Sequence, residues 1–147
     1  MKAKKEKHNL SITIVFGKNE DHIANSFSKE EFEFFKDFPN IRIFYKSNLH
    51  AKYYANDNQA ILSSMNLYDY SQNNNIEFGV LTKITAISDL TGSITGNYLD
   101  KDALSYFKDV IIRSDLLFQN VPQYESRTLR VYKKYTHSET TIDELSD

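Results

Sequence analysis

The sequence predicts an α/β domain built on a mixed, largely parallel β-sheet with flanking helices. Three observations predict it. Residues 10–46 read as strand, helix, strand, an order that favours a right-handed parallel crossover. Three further strand-like segments lie between residues 50 and 82. Residues 100–111 carry the spacing of a helix with one buried face.

Each element has its own signal. Leu10, Ile12, Ile14 and Phe16 alternate with Ser11, Thr13 and Val15 and stop at Gly17, which is a strand of period two closed by a turn residue. Ser28-Lys29-Glu30-Glu31 has the spacing of a capping box, and Ile23, Phe27, Phe32 and Phe35 fall near one helical face, so a helix is expected to end before Pro39. Ile41, Ile43 and Tyr45 alternate with Arg42, Phe44 and Lys46 as a second strand. Residues 50–55 and 59–63 are joined by Asn56-Asp57-Asn58, whose short polar side chains suit a tight hairpin turn. After a polar loop over residues 66–75 comes a strand over 76–82. Residues 83–97, with Gly92 and Gly96, read as a connecting excursion. Ala103, Leu104, Phe107, Val110 and Ile111 then form a helical stripe for which Asp100 is the expected cap. Pro122 is expected to end regular structure, and residues 129–135 fit a short strand or a short helix equally well. The last nine residues hold Glu139, Asp143, Glu144 and Asp147 with no Lys or Arg, and read as a solvated, frayed tail.

Composition limits the chemistry. A chain of 147 residues, 40% of them hydrophobic, has the size of one ordinary domain. Its 18 basic and 20 acidic side chains exclude a uniformly basic nucleic-acid-coating protein, so a polyanion site must be local. The basic bias sits at the front: residues 1–52 hold 10 basic and 7 acidic side chains, the remainder 8 and 13. Lys2, Lys4, Lys5 and Lys7 read as a solvated terminus rather than a phosphate-binding arm. Without cysteine there is no disulfide, thiolate zinc site, iron–sulfur cluster or thiol nucleophile. No apolar run approaches the roughly 18 residues that cross a bilayer, and no signal core follows the Lys-rich start, so no integral membrane association and a cytoplasmic location are expected.

The chemically informative stretch begins at His50. On a strand, His50 and Lys52 project from one face about 6.5 to 7 Å apart. That places an imidazole, a nucleophile or proton carrier near neutral pH, beside an ammonium able to bind phosphate oxygens. Ser64 and Asn66 stand two apart at the end of the next strand, where both can donate hydrogen bonds to the same pocket. Glu77 opens the following strand and can accept the other ring N–H of His50, fixing its tautomer as the third member of a triad does.

His50-x-Lys52, then Asp57, a short apolar strand, Ser64-x-Asn66, and Glu77 eleven residues further on, resemble the phospholipase D superfamily, the HKD phosphodiesterases. Six fixed positions in order make the resemblance specific. As motif it covers residues 49–81, and with the elements on either side it extends to residues 10–118. The run Ser63-Ser64-Met65-Asn66-Leu67-Tyr68-Asp69-Tyr70-Ser71-Gln72 is similar to small bacterial members with one motif per chain. The family usually has Gly-Ser where this chain has Ser63-Ser64.

The resemblance implies a phospholipase D-like half-domain over residues 10–118, lacking a first strand and helix, followed by a partly disordered C-terminal extension over 119–147. It implies that His50 attacks phosphorus to form a phosphohistidine while a second histidine protonates the leaving oxygen and then activates water. Lys52 and Asn66 would hold the phosphate oxygens, Ser64 would support the site, Glu77 would orient His50, and Asp57 would shape the hairpin. It implies no metal and no other cofactor. His8, His22 and His137 lack the companion residues, so the second imidazole is expected from an identical subunit across a two-fold axis.

Three activities fit these residues. The first is a metal-independent nuclease acting on DNA or RNA, with a separate specificity subunit as a further partner. The second is a noncatalytic nucleic-acid-binding or assembly module. The third is a phospholipase or small-diester hydrolase, although no amphipathic membrane-binding helix is evident. Tyr53, Tyr54, Tyr68 and Tyr70 fit half-buried strand packing better than base stacking.

Overall fold

The computed structural model describes residues 7–17, 27–65, 75–83, 97–127 and 132–146. The chain divides into two units, Met1–Leu49 with Arg113–Asp147, and His50–Ile112. The expected boundary at residue 118 therefore falls inside the first unit.

In the first unit β1 (Ile12–Gly17) pairs in parallel with β2 (Ile41–Lys46), from Ile12 opposite Ile41 to Gly17 opposite Lys46. Alternation drives this pairing: Ile41 and Ile43 are fully buried while Arg42 between them is exposed. The helix between them, α1 (Lys29–Phe35), has the expected capping box. The Ser28 hydroxyl accepts from the Glu31 N–H at 3.2 Å, and the Glu31 carboxylate accepts from the Ser28 N–H at 2.7 Å. Two of the orphan donors of the first turn are thereby satisfied. Phe32 is buried against Phe118, edge to face at 5.1 Å, and Phe16, Phe38, Ile41 and Ile43 complete the core. Ile23, expected on this helical face, lies outside the described residues, as do His22 and Lys2, Lys4 and Lys5.

The other edge of β2 takes β6 (Asp115–Arg127), antiparallel, and β6 pairs antiparallel with β7 (Tyr132–Asp143), giving the order β1-β2-β6-β7. The second unit is a wholly antiparallel sheet, β3 (Lys52–Ala55), β4 (Gln59–Ser63) and β5 (Gly79–Lys83), with α2 (Asn97–Ile112). Phe107 of α2 stacks on Tyr53 with ring centroids 4.2 Å apart, and Ala103 is buried.

The largely parallel α/β architecture with flanking helices is overturned. Seven strands stand against two helices among the described residues, and β1–β2 is the one parallel pair among them. A phospholipase D-like half-domain of that architecture is overturned with it. The difference is largest beyond residue 114, where β6 and β7, the two longest strands among the described residues, occupy the stretch in which the sequence predicts a breaker, an ambiguous segment and a frayed tail. Pro122 does not end structure, because β6 pairs with β2 only as far as Asn120. Beyond that point, among the described residues, one side of β6 is an edge, where a missing N–H costs little. The polar composition of β7 is that of an edge strand, and its Thr136, Thr140 and Thr141 are β-branched residues suited to one. Residues 129–135 resolve as strand from Tyr132.

Asp100 is not the cap of α2, since the helix begins three residues earlier at Asn97. Nearly all of the expected 66–75 loop and the 83–97 excursion lies outside the described residues. No helix among the described residues is long and apolar enough to cross a membrane.

Candidate functional site

The hairpin register decides which candidate residues meet. Lys52 pairs with Ser63, and Ser63 with Gly79, so the first residue of β3, the last of β4 and the first of β5 share one end of the sheet. His50 lies two residues before Lys52, Ser64 follows Ser63, and Glu77 lies two residues before Gly79. Four of the six expected residues, His50, Lys52, Ser64 and Glu77, are thus brought to the same end by backbone pairing.

Asp57 is at the other end. Asn56 turns the chain there: its side-chain oxygen accepts from the N–H groups of Asn58 at 2.9 Å and Gln59 at 3.0 Å, and its own N–H donates to the Gln59 carbonyl at 2.9 Å. Asp57 is exposed in that turn. The four residues of β3, Lys52–Ala55, put roughly 13 Å of strand between the Asp57 turn and the end that carries His50. Asn66 lies outside the described residues, as do Tyr68 and Tyr70.

The side chains at the near end are tied together. The Lys52 ammonium donates to the backbone carbonyl of His50 at 2.7 Å, so its charge is held beside the His50 main chain, although β3 begins only at Lys52 and His50 itself precedes the strand on which the sequence places it. The Ser64 hydroxyl donates to one oxygen of the Glu77 carboxylate in a short hydrogen bond, and the Asn75 amide donates to the other oxygen at 3.1 Å. Charge-assisted bonds of this kind orient a carboxylate more firmly than neutral ones. Main-chain bonds support the pair: the Ser64 N–H donates to the Phe78 carbonyl at 3.1 Å, and the Phe78 N–H to the Ser64 hydroxyl at 3.2 Å.

Three further groups support the site in roles that no sequence pattern announces. The Ser63 hydroxyl donates to the Phe78 carbonyl at 3.0 Å and accepts from the Met65 N–H at 3.0 Å, bending the chain where β4 ends. Asn75 is the second, and only its position two residues before Glu77 hints at it. The third is Tyr54, whose hydroxyl donates to the Met65 carbonyl at 3.0 Å. Burial raises the Tyr54 phenol above its ordinary pKa of 10.0.

Of the strand tyrosines, Tyr53 is absorbed by packing on Phe107, whereas Tyr54 belongs to the other face, because successive strand residues alternate. Among the described residues no three His, Asp or Glu side chains converge closely enough to hold a metal ion. Comparison with protein-family models, with curated proteins and with solved structures finds no match to this chain.

Proposed function

We propose that the chain is a metal-independent phosphodiester hydrolase acting on nucleic acid through His50. The observation that carries the proposal is the convergence at one sheet end of the His50–Lys52 pair and a Glu77 carboxylate fixed by Ser64 and Asn75. The resemblance of these residues, in order and spacing, to the phospholipase D superfamily adds to it.

In this reading the His50 imidazole attacks phosphorus, forming the N–P bond as the P–O bond to the leaving group breaks. Lys52 neutralises the non-bridging oxygens as charge builds on them. Glu77 is a positioning residue that fixes the His50 tautomer, and Ser64 holds the carboxylate to that task. A second imidazole donates the proton that the leaving oxygen takes up. It then removes a proton from the water that cleaves the N–P bond. The chain supplies one His-x-Lys, so the second imidazole belongs to a second copy in a cytoplasmic homodimer.

The test is cleavage of labelled single- and double-stranded DNA and RNA in excess EDTA at low salt by the wild type and by His50→Ala. Cleavage by the wild type that disappears in the variant supports the proposal. Salt-sensitive binding without cleavage by either protein assigns the chain to noncatalytic nucleic-acid binding instead. Light scattering that finds an active monomer overturns the shared site.

A further inference from the structure

The face of the second sheet that carries Lys52 also carries an apolar row. Residues opposite one another across β3, β4 and β5 share a face, and rows two residues apart share it too. Lys52, Ser63 and Gly79 form one such row, and Tyr54, Ile61 and Leu81 form the next. The row between them, Tyr53, Leu62 and Val80, belongs to the opposite face, where Tyr53 meets Phe107 of α2. Ile61 and Leu81 are 42% and 53% exposed, although they occupy strand interiors.

The Tyr54 ring is held in place. Its hydroxyl reaches the Met65 carbonyl, beyond the end of β4, so the ring runs along the sheet from its own row toward the end that carries His50, Lys52, Ser64 and Glu77. A tethered, half-buried aromatic ring beside an ammonium suits a ligand with an anion at one end and a flat apolar group about two strand residues, or roughly 7 Å, away. A nucleotide has that build, with one sugar between phosphate and base. Gly79 leaves the third position of the Lys52 row without a side chain, which keeps the approach open beside Ser63.

We infer that Tyr54, at the head of a row that continues through Ile61 to Leu81, is the stacking floor for the base next to the phosphate held by Lys52, and that the chain therefore takes single-stranded nucleic acid. This rests on the phosphodiester reading of the site. A base paired and stacked inside a duplex cannot lie on such a floor, whereas an unstacked base on a single strand can. Stacking on an aromatic ring is indifferent to which base is presented, so the floor selects strandedness rather than sequence.

The test uses the full chain carrying His50→Ala, so that no substrate is consumed, and compares three labelled probes at fixed salt by fluorescence anisotropy. They are oligo-dT, an abasic oligonucleotide of the same length, and a duplex. Oligo-dT is expected to bind about ten-fold more tightly than the abasic strand, and also more tightly than the duplex. Adding Tyr54→Leu, which keeps an apolar side chain but no ring, is expected to bring the ratio of oligo-dT to abasic affinity to about one. Circular dichroism checks that the variant is folded, and Tyr54→Phe, which keeps the ring and loses only its tether to the Met65 carbonyl, is expected to retain a preference that Tyr54→Leu abolishes. Equal binding of oligo-dT and abasic strand, tighter binding of duplex, or a base preference that survives Tyr54→Leu overturns the inference alone. Failure of the His50→Ala protein to bind any probe, or abasic binding indifferent to Lys52→Ala, overturns the phosphodiester reading and the inference with it.

Discussion

The side-chain amide of Asn120 donates to the Phe38 carbonyl at 3.0 Å, joining residues 82 apart in the chain. The same nitrogen donates to the Lys36 carbonyl at 2.7 Å, and the Asn120 oxygen accepts from the Thr140 hydroxyl at 2.8 Å. One buried amide thus fastens the exit of α1 to β6 and β7, and Ser138 repeats the fastening by donating to the Pro39 carbonyl at 2.7 Å. Removing a partner from a buried network leaves the others unsatisfied, which costs more than the bond itself contributes. Asn120→Leu is expected to destabilise the chain by about 2–4 kcal/mol. Thr140→Val, which strips one bond from the edge of the network, is expected to cost about 1 kcal/mol. Urea unfolding of the two variants checks both, and a smaller loss for Asn120→Leu than for Thr140→Val would contradict this account.

Two glycines in strands make opposite demands. A Cβ on Gly17 would stand 1.9 Å from the Lys46 carbonyl oxygen, so any side chain forces β1 and β2 apart. On Gly79 it would meet its nearest atoms, the Leu62 carbonyl and the Ser63 hydroxyl, at an ordinary 3.4 Å. Gly17→Ala is therefore expected to lose about 1–3 kcal/mol. Gly79→Ala is expected to be neutral or to gain up to about 1 kcal/mol by restricting the unfolded chain. Thermal melts of the two alanine variants, run side by side, decide the matter.

Glu77 and Ser64 act as a unit in the proposed chemistry, and their variants separate charge from geometry. Glu77→Gln keeps the shape of the side chain but removes the negative charge by which the proposed mechanism holds the His50 tautomer. It is expected to lower the cleavage rate by roughly 10²–10⁴-fold with little change in oligonucleotide affinity. Ser64→Ala keeps the charge and loosens it, with an expected loss of about ten-fold in rate. Single-turnover cleavage measures both. A Glu77→Gln enzyme as fast as the wild type would remove Glu77 from the mechanism.

The raised pKa of Tyr54 makes stability depend on alkaline pH. The neutral phenol is the form that burial favours, so its contribution is fully present below the unfolded value of 10.0 and is lost as pH climbs through the higher folded value. Wild-type stability is expected to fall between about pH 9 and pH 11 more steeply than that of Tyr54→Phe, which has no proton to lose. Denaturant unfolding at these two pH values measures the difference. Parallel slopes would show that Tyr54 ionises as it does in the unfolded chain.

The front of the fold was legible because each element repeats one period and closes on a recognised residue: Gly17 ends β1, Ser28 and Glu31 box the helix, and Ile41 and Ile43 alternate with Arg42. The hairpin at Asn56 was legible for the same reason. β6 and β7 were not, since nothing local in Pro122 says that its strand has already left one neighbour. A Thr- and Glu-rich edge strand also has the composition of a solvated tail. The gathering of His50, Lys52, Ser64 and Glu77 follows from the hairpin and from a third strand that begins at Gly79, so that Glu77 precedes this strand rather than opening it. What no local pattern carries is the difference between Tyr53 and Tyr54. They are the same residue one position apart, and only the location of α2 decides which ring is packed and which faces the site.

The unit bearing the candidate site is inserted in the sequence of the other, between Leu49 and Arg113. During synthesis β1, α1 and β2 therefore leave the ribosome long before β6, which must cover the open edge of β2, with more than 60 residues emerging in between. At about 5–20 residues per second that edge waits several seconds for its partner. Ile43 and Phe44 are buried in the finished sheet and carry the pairing with β6, so the nascent chain spends that interval with an apolar, strand-ready edge exposed. The second unit is contiguous and its strands are neighbours in sequence, so it can close while the first still waits. The order of assembly is thus opposite to the order of the N-termini: the inserted unit is complete first, and the chain is committed to its fold only when residues near Thr140 arrive.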